Sequence, residues 1–290
     1  MAIVVNTNIQ SIKVQNNLNS VTDAMNTAME RMTTGLKINS AADDAAGLVI
    51  SKGIEVQTRG SQVAKDNAQS GVNLLQTAEG NLAVMQDNFM RIRDLTLQAM
   101  NGGQTQEQLE AMQEEANARL AEIDRIATGA KFNSFDLFGG ATHDSDAEEV
   151  TLQIGTGSET ATNTITISDV FNSAQVSALT GQAAFTSKFV DGTDPAQLAD
   201  MQAQLDQLDV AITEISSRRG TIGAVSNRLS SAMEQLDTQY ENLSAANSRI
   251  KDADIATESS NYTQNSILQQ ASAALLVQAN QQPNIALSLI

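Results

Sequence analysis

The sequence predicts a mainly α fold: an elongated antiparallel bundle of long helices, coiled-coil in character, with a small β-hairpin insertion. Three observations carry this reading. From Leu198 to Ile250 a track that steps alternately by three and four residues is apolar or Tyr at thirteen of sixteen positions. A 3.5-residue period held this long marks a helix seam. A matching run occupies the N-terminal half. Between the two, residues 139–193 are rich in Gly, Thr, Ser and Asp and show alternating patterns in place of helical ones.

In chain order, Val14, Leu18, Val21, Met25, Ala28 and Met32 step by four and three and predict a first helix, which breaks at Gly35 to Ser40. Ser40 is expected to cap the helix that follows. Asp43 and Asp44 are adjacent, and adjacent positions on a helix point about 100° apart, so they form no converging carboxylate pair. A second seam runs through Ala68, Gly71, Leu75, Ala78, Leu82, Met85, Phe89, Ile92, Thr96 and Ala99 and stops at Gly102-Gly103. Thr105 with Gln108 has the spacing of a capping box. The next helix carries Leu109, Met112, Ala116, Leu120, Ile123 and Ala127 and ends near Gly129. Val150, Leu152 and Ile154 alternate with polar residues, as do Ile165 and Ile167, so two short strands joined across Gly155 to Asn163 read as a hairpin. Asp194 and Pro195 supply an N-cap and an N1 proline for the long C-terminal helix, which at 1.5 Å per residue would be about 80 Å long. Helical character resumes from Ala253, with Ile267, Leu268, Ala271, Leu275 and Ala279.

Composition narrows the function. Aromatics make up 3% of the chain and there is no Trp, so burial must come from many small aliphatic contacts, which suits helices packed lengthwise. With 17 Lys and Arg against 34 Asp and Glu the formal charge is -17. Such a chain repels phosphate backbones and anionic membrane surfaces, so neither nucleic acid nor membrane is an expected partner. The absence of Cys rules out disulfides and thiolate metal sites. Met1 to Asn6 has no basic segment and no long apolar run, so no secretory signal peptide is expected there.

No catalytic constellation is evident. There is no His-Glu-x-x-His helix, phosphate loop or Gly-x-Ser-x-Gly elbow. Gly155-Thr156-Gly157 is too short for a dinucleotide fingerprint. His143, the single histidine, sits in an acidic run that reads as a solvated loop, without the Asp spacing or glycine of a calcium-binding EF-hand. The expectation is a protein with no enzyme activity, cofactor or metal.

The chain ends are unusual. Ile3-Val4-Val5 and Ile285-Ala286-Leu287-Ser288-Leu289-Ile290 are apolar, whereas exposed termini are normally polar. The two terminal helices can pair antiparallel but cannot cover all their apolar surface. Uncovered patches of that kind mark contacts with other chains. Between residues 68–128 and 198–250, by contrast, most apolar positions are expected in an intramolecular core.

The ends resemble bacterial flagellin. At the N-terminal side the resemblance rests on Val5-Asn6-Thr7-Asn8-Ile9, Gln15-Asn16-Asn17-Leu18 and the string Gly35-Leu36-Lys37-Ile38-Asn39-Ser40-Ala41-Ala42-Asp43-Asp44-Ala45-Ala46-Gly47-Leu48. At the C-terminal side it rests on Glu241-Asn242-Leu243-Ser244-Ala245-Ala246-Asn247-Ser248-Arg249-Ile250 and Gln278-Ala279-Asn280-Gln281. It spans about residues 1–140 and 195–290 and leaves only about 55 residues between, so the large outer variable domains of the family are absent.

The resemblance implies a subunit that self-assembles into the flagellar filament for swimming motility, secreted unfolded through the type III export apparatus with an export chaperone, and bounded by hook-associated and cap proteins. It places residues 1–40 and 253–290 in a terminal coiled-coil core domain. Residues 41–140 and 194–252 form a helical rod domain, and 141–193 a short β-rich insertion. Self-assembly contacts are expected from Val4, Val5, Ile9, Leu18, Val21, Met25, Leu268, Leu275, Ile285, Leu287, Leu289 and Ile290. Arg91, Leu95 and Glu115 match, and Phe89 falls within, the stretch that axial neighbours contact and that the flagellin-sensing Toll-like receptor sees in many members. Phe89 and Met90 stand where the family commonly has Leu-Gln. A hook–filament junction protein with similar ends is an alternative, as is a secreted adhesin or immune-receptor ligand.

Overall fold

The computed structural model of the chain describes residues 7–101, 103–138, 149–168, 170–181, 189 and 195–287, except for the side chains of 195–197 and 282–287. His143 and Asp194 lie outside these. The elements are α1 (Ile9–Thr34), α2 (Ala45–Ala99), α3 (Gln106–Gly129), β1 (Lys131–Phe132), β2 (Phe135–Asp136), β3 (Glu149–Gln153), α4 (Thr160–Asn163), β4 (Thr164–Ser168), α5 (Val176–Thr180), α6 (Pro195–Lys251) and α7 (Ile255–Leu287). They sort into two compact units, one of Met1–Arg59 with Glu241–Ile290 and one of Gly60–Tyr240.

The Gly60–Tyr240 unit holds the hydrophobic core. All ten seam positions read on α2, from Ala68 to Ala99, are buried, and so are the six read on α3. The helices run antiparallel. Lys65 meets Asp237, Gln86 meets Arg219 and Arg93 meets Asp209, while Arg91 meets Glu115 and Asn88 meets Arg119. Each fully buried Leu, Ile, Met or Phe along the seam contributes roughly 1.5–3 kcal/mol relative to exposure. Thr105 and Gln108 close the capping box that opens α3.

The track read on α6 needs correcting. Met201, Leu208, Ile215, Ile222, Leu229 and Leu236 are buried, but Leu205, Ile212, Arg219 and Ser226 are only half-buried and Tyr240 is exposed. Ala211, Arg218 and Val225 complete the buried stripe. A second load falls on this helix. Arg218 donates to the carbonyls of Asn172 (2.8 Å) and Ser173 (3.3 Å) and pairs with Glu214. It thereby pins a segment whose Val170, Phe171, Ala174 and Val176 are buried. Asp124 of α3 accepts from the Val176 N–H on the other side of that segment.

The hairpin across Gly155 to Asn163 is present. β3 and β4 pair antiparallel with Val150 opposite Ile167 and Leu152 opposite Ile165, and the single turn α4 fills the connection. Ile165 and Ile167 are buried, whereas the cross-strand pair Thr151 and Thr166 is exposed. The hairpin approaches α2 closely. Asn67 Nδ2 donates to the Gln153 carbonyl, and a Cβ on Gly71 would overlap Leu152 Cδ1. Besides α4, two small elements went unread in the sequence. One is α5. The other is the β1–β2 hairpin, whose turn puts Asn133 at φ 57°, a left-handed conformation that Asn tolerates better than most residues.

The Met1–Arg59 and Glu241–Ile290 unit contains α1, α7 and the adjoining ends of α2 and α6. Its chain breaks are cross-braced. Lys37 N–H donates to the Lys251 carbonyl (2.7 Å) and Ala253 N–H to the Gly35 carbonyl (2.9 Å), around a bridge between Leu36 and Asp252. Gly35 ends α1 at φ 70°, a left-handed C-cap. Ser40 does not cap α2. The helix begins at Ala45, so Asp44 occupies the N-cap and its carboxylate accepts from Gly47 N–H at 2.9 Å. Asp43 turns the other way and accepts from the N–H groups of Asn39 and Ser40 and from the Ser40 hydroxyl. Asp254 caps α7 through Ala256 N–H, Thr257 N–H and the Thr257 hydroxyl. These bonds favour the charged form. The Ser40 N–H first of all holds Asp43 below the ordinary carboxylate range, and the Thr257 hydroxyl first of all does so for Asp254.

Two predictions follow from this geometry. Gly80 has open space at its Cβ position, so Gly80→Ala should stabilise by up to ~1 kcal/mol through helix propensity. Gly71→Ala should instead destabilise by about 1–2 kcal/mol because Leu152 must move. Urea unfolding of both variants checks the opposite signs. Because Asp254 has a depressed folded value, its stabilisation is present above the unfolded value of about 3.9 and lost as pH falls through the folded one. Asp254→Asn keeps an acceptor for the cap, so it should leave the neutral-pH helicity unchanged and reduce the loss of stability on acidification below the ordinary carboxylate range. An acid-unfolding slope identical to the parent would count against this.

Candidate self-assembly interface

Helices α1 and α7 pair antiparallel. Asn8 Nδ2 donates to the Ala279 carbonyl (2.7 Å), Ser11 Oγ to Asn280 Oδ1 (2.8 Å) and Gln269 Nε2 to Thr22 Oγ1 (3.2 Å); Arg31 meets Glu258 at 3.3 Å. Asn8 also caps α1 by accepting from Ser11 N–H. The seam is therefore stitched mostly by neutral polar groups. It builds little core. In this unit only Ala28, Ile38 and Ala279 are buried hydrophobic residues among those described.

The apolar side chains that remain are exposed. Ile9 is 59% exposed and Leu275 58%, and Leu268 is exposed as well. Leu18, Val21 and Met25 are half-buried. Ile285 and Leu287 fall on α7, but their side chains lie outside the described residues, as do Val4, Val5, Leu289 and Ile290 altogether. Further exposed apolar residues were not anticipated: Ile12 on α1, Val49, Ile50 and Val56 at the start of α2, and Ile255, Ile267 and Val277 on α7. The signal for the α2 group was available in Leu48-Val49-Ile50, an apolar run that fits no single helix face. The hydrophobic residues of α7 spread around the helix, so no one partner helix can cover them.

Charge is divided unevenly. The Gly60–Tyr240 unit holds ten Lys and Arg against 25 Asp and Glu, a net of −15. The unit with the chain ends holds seven against nine, a net of −2. The unit that carries most of the exposed large apolar residues can thus approach copies of itself with little Coulomb repulsion.

On the other unit, Arg91 and Glu115 form a two-pronged pair, Nε to Oε1 at 2.9 Å and Nη2 to Oε2 at 3.2 Å, with both side chains open to solvent. Glu115 also accepts from Arg119, which in turn donates to Asn88. The Arg91 guanidinium holds the Glu115 carboxyl below the usual range, and Glu115 raises Arg91. Phe89 and Leu95 take different places from the one expected of contact residues. They are 0% and 1% exposed, in the core beneath this pair. The three-four seam that points Phe89 inward leaves Met90 and Arg91 outward. Among the described residues no group of three or more His, Cys, Asp or Glu is placed to hold a metal, and no helix is long and apolar enough to cross a membrane.

Residues 5–143 match the family described as bacterial flagellin N-terminal helical region, and residues 205–290 match the bacterial flagellin C-terminal helical region. The chain is 38% identical to a flagellin of Bacillus subtilis (strain 168), over 99% of each chain. It is 34% identical to a flagellar filament 33 kDa core protein of Treponema phagedenis, again over 99% of each. A solved Vibrio parahaemolyticus chain assigned as a flagellar hook-associated protein shares the fold, with a TM-score of 0.59 at 16% identity over 72% of this chain and 100% of that one. With both terminal regions matched and relatives aligned end to end, the chain belongs to the bacterial flagellin family.

Proposed function

We propose that this flagellin, a structural subunit of the flagellar filament, polymerises through the apolar surface that α1, α7 and the start of α2 leave uncovered. The observation that carries this reading is the poverty of core in that unit beside its exposed Ile9, Val49, Ile267, Leu275 and Val277. Burial at roughly 25 cal/mol per Å² makes each such side chain worth about 2 kcal/mol when a neighbouring copy covers it. Residues 1–40 and 253–290 then form the filament's coiled-coil core, 41–140 and 194–252 the rod, and 141–193 a short insertion. The role is structural rather than catalytic. The secreted, extracellular location, the export chaperone and type III apparatus, and the hook-associated and cap proteins as end partners belong to the same reading.

A second surface is favoured by the exposed Arg91–Glu115 pair. It serves axial packing between rods and offers a contact to the flagellin-sensing Toll-like receptor, with Phe89 and Leu95 holding the helix from beneath. Arg91→Ala should weaken receptor-reporter activation by about tenfold at unchanged helicity, as loss of one charge-assisted contact implies. Reporter activation equal to the parent's would remove the receptor from this surface.

The assembly test is seeded polymerisation followed by sedimentation and electron microscopy. Deleting Gln281 to Ile290 should abolish filaments while the helix over 198–250 stays folded by circular dichroism. Leu275→Gln should raise the critical concentration roughly 10- to 30-fold, the equivalent of about 2 kcal/mol. Filaments from the truncated chain would refute the role of the tail. Parent chains that stop as short stubs would favour a junction protein.

A further inference from the structure

Glu258 is the only charged side chain from Ile255 to Ile290. It is nearly buried, with 11% of its side chain exposed, and its partner is Arg31 at 3.3 Å on the facing helix. Asn261 Nδ2 lies 3.4 Å from the second carboxylate oxygen. Arg31 Nε is buried with no hydrogen-bond partner, so the burial of this guanidinium is offset by its ion pair with Glu258 and, more weakly, by the nearby Asp43 carboxylate. Each residue also sits at the end of its helix that suits its charge, Arg31 in the last turn of α1 and Glu258 in the first turn of α7.

The rest of the α1–α7 seam discriminates poorly between alignments. Its other hydrogen bonds join neutral groups, and Ala, Ser, Gln and Asn recur along α7. Ala279 is the one buried hydrophobic residue on that helix among those described. Helices of this kind can slide by a heptad at little packing cost. Sliding would break the ion pair: moved by seven residues, Glu258 would face Ala24, beside Asp23. A desolvated carboxylate beside a like charge is strongly disfavoured. Single buried polar contacts are the best-attested way of fixing helix register.

We propose that Arg31–Glu258 is a positioning contact that sets the register of the α1–α7 pair, and so the alignment of the apolar residues that the pair presents to neighbouring copies. This rests on the assembly reading above. The chain lacks Cys, so introduced thiols report register without background. Three full-length reporters are compared after seeded polymerisation and mild oxidation. One is Thr22→Cys with Gln269→Cys, in register; the others pair Thr22→Cys with Tyr262→Cys or Leu276→Cys, one heptad away in either direction.

With Arg31 and Glu258 in place, intrachain crosslinking should favour the in-register reporter. With Arg31→Met and Glu258→Met, the ratio of in-register to shifted product should fall by roughly tenfold, and the exchange Arg31→Glu with Glu258→Arg should restore it. An unchanged ratio in the neutral variant would overturn the proposal and leave register to the backbone brace between Gly35 and Ala253. If the neutral variant fails to polymerise, rescue by the charge exchange supports the proposal and lack of rescue overturns it. Failure of the assembly reading is distinguishable: parent reporters would crosslink in register yet never sediment as filaments.

Discussion

Lengthwise burial on α2 is the interaction on which the rest of this molecule depends. With aromatics at 3% of the residues, large rings contribute only Phe89 to the buried seam of α2. Stability comes instead from a seam of small and medium side chains, repeated every three or four residues from Ala68 to Ala99, against which α3, α6 and the β3–β4 hairpin settle. Such a core is long and thin. It leaves most of each helix in water, and the excess of Asp and Glu on that unit suits this exposure.

The seam explains what was legible in the sequence. On α2 and α3 every seam position read from periodicity is buried because each helix there has one dominant buried face, and Val72, Leu74 and Leu95 on α2 and Ile126 on α3 widen that face beyond the seam. On α6 the same method succeeded at alternate positions only. That helix also carries the 170–176 segment, held by Arg218, and a long-range contact to backbone carbonyls leaves no trace in local periodicity. The hairpin was readable from strict alternation, whereas the two-residue strands around Asn133 were too short to show a period. Ser40 reads as a cap because capping residues are polar and precede helices. Asp44 is polar too, and the exact start of the helix decided between them.

At the candidate interface the legible part was the anomaly: helices whose apolar residues exceed what a single partner can cover. The residues at the start of α2 escaped the reading because Val49 and Val56, although one heptad apart, lie off the seam that begins at Ala68. Phe89 and Leu95 show the reverse case, with Phe89 falling on the buried seam as well as in the family's contact stretch. A family motif read as contact residues includes positions that hold the motif's helix in place from within. Resemblance identifies a stretch; burial separates its inner side chains from its outer ones.

The pairing of α1 with α7 joins residues at opposite ends of the chain, Asn8 with Ala279 and Arg31 with Glu258. Contacts of such sequence separation cannot form while the chain is still emerging from a ribosome or a conduit in either direction. A polypeptide cut short anywhere before Glu258 possesses none of the partners that α1 requires. Terminal pairing therefore draws on the whole sequence: the first helix to be made gains its partner helix only when the last has been made.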